Sequence, residues 1–382
     1  MRVNNLPLGQ GRSSNELNTF DLRHGPRARN SARLVFAAAA CLALAFLTSS
    51  TALFSQSASS AASKPPDAPA KWKPLIGNYA SADGVIFDVL EDEGRLALKQ
   101  GAKLPEPLRE GADGSFTVAS DGQSPAQLRF VLGNDGAVKE MVFGDSHLER
   151  RNYGDEGKSF KITPARPLEE LRKEAAVASP PKESRSFREP DLVEVAALDP
   201  AIHLDIRYAT ANNFLGTPVY TQPRAFLQRR AGMALIRALH ALQPLGYGLL
   251  IHDGYRPWSV TKIFWEATPA EGRIFVADPA QGSRHNRGCA VDLTLYDLKT
   301  GAPIEMPGTY DEMSPRSFPN YPGGTSLQRW HRALLRHAME SEGFTVFETE
   351  WWHFDYEDWQ EYPILNIPFE QLGLKSAARA SS

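Results

Sequence analysis

The sequence predicts two folded units in series, a small all-β domain and then an α+β domain. Three observations carry that expectation. The chain has 382 residues, more than the roughly 100–200 that one domain usually holds. Between residues 72 and 153, short alternating segments are separated by Glu-Gly and Asp-Gly turns, the pattern of an antiparallel meander or barrel. From residue 191 onward, strand-like and helix-like stretches are interleaved.

Composition narrows the function class. With 42% hydrophobic and 23% charged residues, the chain is neither collagen-like, disordered nor a polytopic membrane protein. Lys plus Arg number 42 against 45 for Asp plus Glu, a net charge of −3, which leaves no electrostatic footprint for nucleic acid. Two cysteines, Cys41 and Cys289, exclude a disulfide framework and a Cys-rich metal knot.

Residues 1–60 are expected to be a signal peptide. Six arginines up to Arg33 precede an uncharged apolar run, Leu34 to Leu47, and small residues follow; this is the order of an export signal. The run is shorter than the roughly 20 residues of a spanning helix. The catalytic part is therefore expected in the periplasm or cell envelope, with an uncleaved anchor as the alternative. Residues 61–71 read as a linker.

In the β-domain, 72–153, the clearest strands are Val85–Leu90, Arg95–Leu98, Ser115–Val118, Gln127–Val131 and Val138–Phe143. Its glycines and aromatics resemble the lipocalin-like β-domains appended to some bacterial periplasmic hydrolases. It shows no catalytic constellation, so a structural or interaction role is expected, including peptidoglycan association; a ligand-binding barrel is the alternative. Residues 154–190, rich in Lys, Glu, Pro and Ser, read as a second linker, in which Leu168 to Ala178 forms a short exposed helix.

In the α+β domain, 191–382, Phe226 to Leu242 has helical spacing, Gly248 to His252 reads as a buried strand, and Pro257 opens a helix through Ala267. Ala290 to Leu295 is a further strand, Ser326 to Glu342 a helix ending near Gly343, and Phe344 to Phe354 the last strand region.

This domain holds the chemistry-bearing residues. Ser283-Arg-His-Asn-Arg-Gly-Cys-Ala-Val-Asp292 is followed about 60 residues later by Glu350-Trp-Trp-His353. A catalytic zinc site needs three protein ligands and an open position, and His285, Asp292 and His353 meet that count. Alternation places Asp292 on the strand face opposite Val291, Leu293 and Leu295, and Gly288 permits a turn that returns His285 toward it. Glu350 and His353, three apart, converge only across a bulge or strand end; Glu350 would then be the general base. By spacing alone, a metal site and a pair of structural histidines both remain open.

Four motifs in collinear order, Asp205 to Gly216, Gly246 to Pro257, Ser283 to Leu295 and Glu350 to Phe354, resemble the VanX-type D-alanyl-D-alanine dipeptidases over about residues 191–370. The resemblance implies a zinc D,D-peptidase-like domain with an antiparallel sheet and flanking helices, one Zn2+ per chain and a small D-dipeptide substrate. It implies His285, Asp292 and His353 as zinc ligands and Glu350 as catalytic base. Arg256 would stabilise the oxyanion. Asp311 and Tyr208 would hold the substrate ammonium, Ser283 would contact substrate, and Asp253 would line the pocket or support Arg256. Tyr220 would be a second substrate tyrosine. Cys289 reads as packing, Trp351 and Trp352 as wall and core, and His252 as structural. The competing expectations are a zinc D,D- or L,D-carboxypeptidase acting on peptidoglycan stems, and a wall-binding protein without turnover.

Overall fold

The computed structural model describes residues 63–118, 126–152 and 160–372; residues 1–60, expected to be a signal peptide, lie outside the described residues. Eight antiparallel strands close into a barrel. They are β1 (Gly77–Ala80), β2 (Ile86–Asp92), β3 (Arg95–Gln100), β4 (Glu106–Glu110), β5 (Phe116–Val118), β6 (Ala126–Leu132), β7 (Val138–Phe143) and β8 (Ser146–Arg150). Closure by β1–β8 pairing leaves no free edge. Every second residue points inward, and Tyr79, Val89, Leu96, Leu98, Phe116, Leu128, Met141 and Leu148 pack the interior. Strands β4 and β8 escape sequence reading because each buries a single residue, Leu108 and Leu148 respectively.

Part of the segment read as the second linker packs into the second core. Helix α1 (Leu168–Val177) buries Leu171 and Ala175 there, so it is not simply exposed. Arg166 pairs with both Glu174 of this helix and Glu266. Ala68 in the first linker is buried too.

The α+β domain is built on β9 (Leu192–Glu194), β10 (Ile202–Leu204), β11 (Phe226–Gln228), α2 (Arg229–Leu242), β12 (Tyr247–Asp253), α3 (Trp258–Ala267), β13 (Ala290–Asp297), α4 (Ser326–Glu340), β14 (Phe344–Phe347) and β15 (Glu350–Tyr356). The main sheet has the order β10-β12-β13-β15-β14. It is antiparallel except at one edge, where β10 runs parallel to β12; the expectation of an antiparallel sheet holds for the four strands that carry the site. Phe226 to Gln228 pair with β9 instead of starting the helix: all three are buried and their apolar phase runs on into α2, so spacing alone cannot place the boundary. Helix α2 faces the core with Ala231, Ala234, Leu235, Ala238, Leu239 and Leu242, the three-to-four spacing of an amphipathic helix. Helix α4 starts on a Thr325–Gln328 capping box, and the chain leaves it through Gly343 at φ 87°. Among the described residues no helix is long and apolar enough to cross a membrane.

Candidate active site

Three adjacent strands bring the site together by register. Asp292 of β13 lies directly opposite His353 of β15, and opposite residues of an antiparallel pair share a face. On its other side, Asp292 pairs with Asp253 of β12, because the ladder slips by one residue between Ile251 and Asp253. That bulge at His252 turns Asp253 to the Asp292 face. His285 enters from a single helical turn, His285–Arg287, ended by Gly288 at φ 70°; a Cβ at Gly288 would lie 2.5 Å from Leu192 Cδ2.

The three potential ligand atoms form a near-equilateral triangle. His285 Nε2 is 3.1 Å from His353 Nδ1 and 3.3 Å from Asp292 Oδ1, and His353 Nδ1 is 3.1 Å from the same oxygen. Ligands at about 2.0–2.1 Å around a tetrahedral zinc stand about 3.3 Å apart, so the triangle has the edge such an ion requires. The outward-facing ring nitrogens are already engaged: His285 Nδ1 with Gly254 O at 2.7 Å, and His353 Nε2 with Asp355 Oδ1 at 2.9 Å. When both rings are neutral, these bonds turn the lone pairs of the two inner nitrogens toward one point. Asp292 Oδ1 is buried and accepts no hydrogen bond, while its other oxygen accepts from Tyr310 OH at 3.0 Å. Two imidazole lone pairs and a carboxylate oxygen turned on one point are a donor set that fits a divalent cation, and His285, Asp292 and His353 are a possible metal site.

The charges of the site's own side chains are arranged around that point. Burial opposes a proton on His353, but Asp355 and Asp292 outweigh it and hold its pKa well above the ordinary histidine value. Burial likewise opposes charge on Asp292, and His285 and His353 overcome it, so its carboxyl stays well below the usual range. Glu350 Oε2 lies 3.7 Å from His353 Nδ1, and burial pushes its pKa up to about 7. Arg256 is buried, donates from Nε and Nη2 to Asp253 Oδ2 at 3.0 and 2.8 Å, and lies over the Tyr208 and Phe264 rings. Its Nη2 is 3.8 Å from Asp292 Oδ2. All these groups except Asp253 and Asp355 line a cavity of about 270 Å³, with Phe275, Met313, Phe347 and Trp352 as apolar walls.

The fourth wall is acidic. Tyr208 OH donates to Asp311 Oδ1 at 2.8 Å, and Asp311 Oδ2 is buried without a partner. Asp311 also has φ 61°, a left-handed conformation uncommon for a residue with a Cβ, and such strain persists where surrounding structure enforces it. Burial, followed by the nearby Asp292, raises its pKa well above the ordinary value, so the corner favours a cationic occupant.

Residues 188–370 match the family described as D-ala-D-ala dipeptidase, peptidase family M15. The chain is 35% identical over 179 residues to the D-alanyl-D-alanine dipeptidase of Escherichia coli (strain K12), an alignment covering 47% of this chain and 91% of that protein. The chain belongs to the D-ala-D-ala dipeptidase family. Similar relatives are the D-alanyl-D-alanine dipeptidases of Enterococcus faecalis (strain ATCC 700802 / V583), at 36% identity over 44% of this chain and 92% of that one, and Streptomyces coelicolor (strain ATCC BAA-471 / A3(2) / M145), at 34% identity over the same shares. The chain is thus a metallopeptidase, and its dipeptidase domain follows an all-β barrel.

Within the dipeptidase domain, the residues singled out in the sequence converge, with Asp253 and Tyr220 set back from the cavity. Of the two places expected for Asp253, pocket lining or support of Arg256, it takes the second: it sits beneath Arg256, accepting also from Tyr220 OH at 2.7 Å and Gly254 N at 2.8 Å. It is absent from the cavity lining, since the bulged strand buries it behind the guanidinium it holds. Tyr220 is accordingly a support for Asp253, not a wall of the cavity. Ser283 does line the cavity, and its Oγ accepts from His285 N at 3.2 Å. His252 is structural as expected, stacked on Tyr310 at 4.4 Å. Sequence reasoning missed Tyr310 and Asp355. Asp355 had a signal, because residues two apart on β15 share a face and His353 was already placed; Tyr310, on an irregular segment, had none.

Proposed function

We propose that this chain is a zinc-dependent dipeptidase that hydrolyses D-alanyl-D-alanine and similar D-dipeptides to free amino acids. One zinc ion per chain would be held by His285, Asp292 and His353. The observation that carries the proposal is the meeting, in one cavity, of the ligand triangle, a protonatable carboxylate, a fixed guanidinium and an acidic corner. When bound there, zinc would supply Lewis acidity and lower the pKa of water toward about 7.

The chain's own residues account for the remaining steps. Glu350 takes a proton from the attacking water and passes it to the leaving amine, a role that suits a carboxylate whose pKa is near the working pH. Arg256, fixed by Asp253, faces the charge that develops on the carbonyl oxygen; a guanidinium remains charged and needs no reorganisation. Asp311 and Tyr208 hold the α-ammonium, and Ser283 contacts the substrate. Phe275, Met313, Phe347 and Trp352 keep water from the reacting bond.

The basic-then-apolar order of residues 1–60 supports export to the periplasm or envelope. There the substrates would be dipeptides released during wall turnover, and the barrel would be the part available for peptidoglycan association. Glu350→Gln tests the core of the proposal: metal content at the wild-type level with turnover reduced by about 10² or more is expected, and hydrolysis near the wild-type rate would remove Glu350 as the base.

A further inference from the structure

The barrel meets the dipeptidase domain at the entrance of α4, through a buried carboxylate. Glu91, at the end of β2, is 3% exposed. It accepts from Ser326 N at 2.6 Å and from Ser326 Oγ at 3.2 Å, and within the barrel from Gly94 N at 2.7 Å. Its own N–H donates to Gly324 O at 3.1 Å. Arg329 bridges the same two parts, donating to Glu91 O at 2.9 Å, to Asp92 Oδ1 at 3.1 Å and to the carbonyl of Pro322 at 3.2 Å. Beside it, Tyr321 OH donates to Asn78 Oδ1 of β1 at 3.2 Å.

Two domains packing by apolar surface alone would need no buried carboxylate, which is costly unless each oxygen is satisfied. Here one carboxylate satisfies the first amide of a helix, a group that the helix itself leaves unpaired, and lies at the end of the helix dipole that favours negative charge. What this contact holds is the chain leading into α4. Between β13 and α4 the only regular structure is the single turn Pro315–Ser317, and this segment carries Tyr310, Asp311 and Met313. Its middle is tied locally by Glu312, which pairs with Arg316 and accepts from Thr309 N. Its far end, Tyr321 to Ser326, is tied to the barrel.

We propose that the β-barrel is an intramolecular clamp on the Tyr310–Thr325 segment, and that Glu91 is a positioning residue for the ammonium site at Asp311. This rests on the reading of Asp311 as the ammonium acceptor. The ligand triangle is held by strands and the His285 turn, and the clamped segment touches it through Tyr310 OH on Asp292 Oδ2, the oxygen turned away from the other two ligands, so loosening the clamp should weaken amine recognition while metal stays bound.

The test uses the full chain with Glu91→Gln and Tyr321→Phe, the second removing one hydroxyl in case the first fails to fold. For each, kcat and KM for D-Ala-D-Ala, the Ki of N-acetyl-D-Ala-D-Ala, metal content and amide hydrogen exchange over residues 309–325 are measured. KM should rise about tenfold with kcat within about twofold, as expected when a binding group is misplaced and the reacting groups are not. Ki and metal content should stay at wild-type values, and exchange over 309–325 should quicken. Unchanged KM and exchange, or equal weakening of the free and acetylated dipeptides, would overturn the clamp. If the wild type fails to hydrolyse the dipeptide, the functional reading falls, and the exchange data alone decide the clamp: unchanged protection at 309–325 overturns it.

Discussion

Asp292 and His353 are cross-strand partners in the β13–β15 ladder, and their facing atoms, Oδ1 and Nδ1, are 3.1 Å apart. Two of the three proposed ligands are therefore fixed by strand register. A slip of one residue would turn one of them to the other face of the sheet. His285 is added from outside the sheet by a glycine-ended turn, and its carbonyl accepts from Arg256 N at 3.1 Å, coupling the ligand to the guanidinium.

His353→Ala should abolish stoichiometric metal binding, because two ligands remain of three and the imidazole's support by Asp355 is lost with it. Asp355→Asn keeps the ligand and weakens only its orientation, so metal affinity should fall by about 10- to 100-fold. Metal analysis after dialysis against graded chelator distinguishes the two. Full occupancy in the alanine variant would remove His353 from the site.

Metal uptake should release protons near neutral pH. In the metal-free protein His353 is held protonated by Asp355 and Asp292, and a ligand nitrogen must give up its proton to coordinate. Affinity should consequently fall as pH falls. Calorimetry of zinc binding in buffers of different ionisation enthalpy reads the proton count, and a value of zero at pH 7 would contradict this charge state.

How much of this was legible in the sequence depends on how local the signal was. Asp292 could be placed because alternation along Ala290 to Leu295 is a property of one strand. Glu350 and His353 required an irregularity, and the β14–β15 register does shift between Val346 and Phe347. The bulge at His252 was not legible: nothing in Leu-Ile-His-Asp marks where a ladder will slip, and the face taken by Asp253 depends on it. Nor was the role of Glu91, whose partner Ser326 lies 235 residues away. The packing of α1 within 154–190 was not legible because composition records its exposed faces, while Leu171 and Ala175 are buried in the core and Leu168 packs against it.

Stability should decline as pH falls from about 6.5 toward 4, in part through His331. Burial, followed by the charge of Lys64, lowers its pKa to about 4. Tyr247 OH lies 2.9 Å from its Nε2 and already accepts from Lys64 Nζ at 2.7 Å, an arrangement that suits the neutral ring. Over that window the unfolded chain takes up a proton that the folded chain refuses, so the unfolded state gains. Allowing for solvent screening, the loss from this residue is roughly 1–2 kcal/mol. His331→Gln should flatten the decline in chemical-denaturation midpoints between pH 6.5 and 4.5; an unchanged slope would assign it to other groups.

Asp311→Asn should penalise the free dipeptide most, since the amide keeps the size of the side chain but lacks its charge. A fall in kcat/KM of about 10-fold or more is expected from loss of a charge-assisted hydrogen bond, with little change for a substrate that has no ammonium. Equal effects on both substrates would place Asp311 elsewhere in the mechanism.

The central claim is a zinc peptidase that requires a free ammonium beside the scissile bond, and the direct test is kcat/KM of the zinc-loaded wild type for D-Ala-D-Ala and for its N-acetyl form. Acetylation removes the charge and leaves the Asp311 carboxylate unpaired, a cost of roughly 1–3 kcal/mol or more, so the acetylated dipeptide should be cleaved about 10- to 100-fold less efficiently. Equal efficiency on the two would contradict the dipeptidase account and favour an enzyme that trims longer peptides from their carboxyl end.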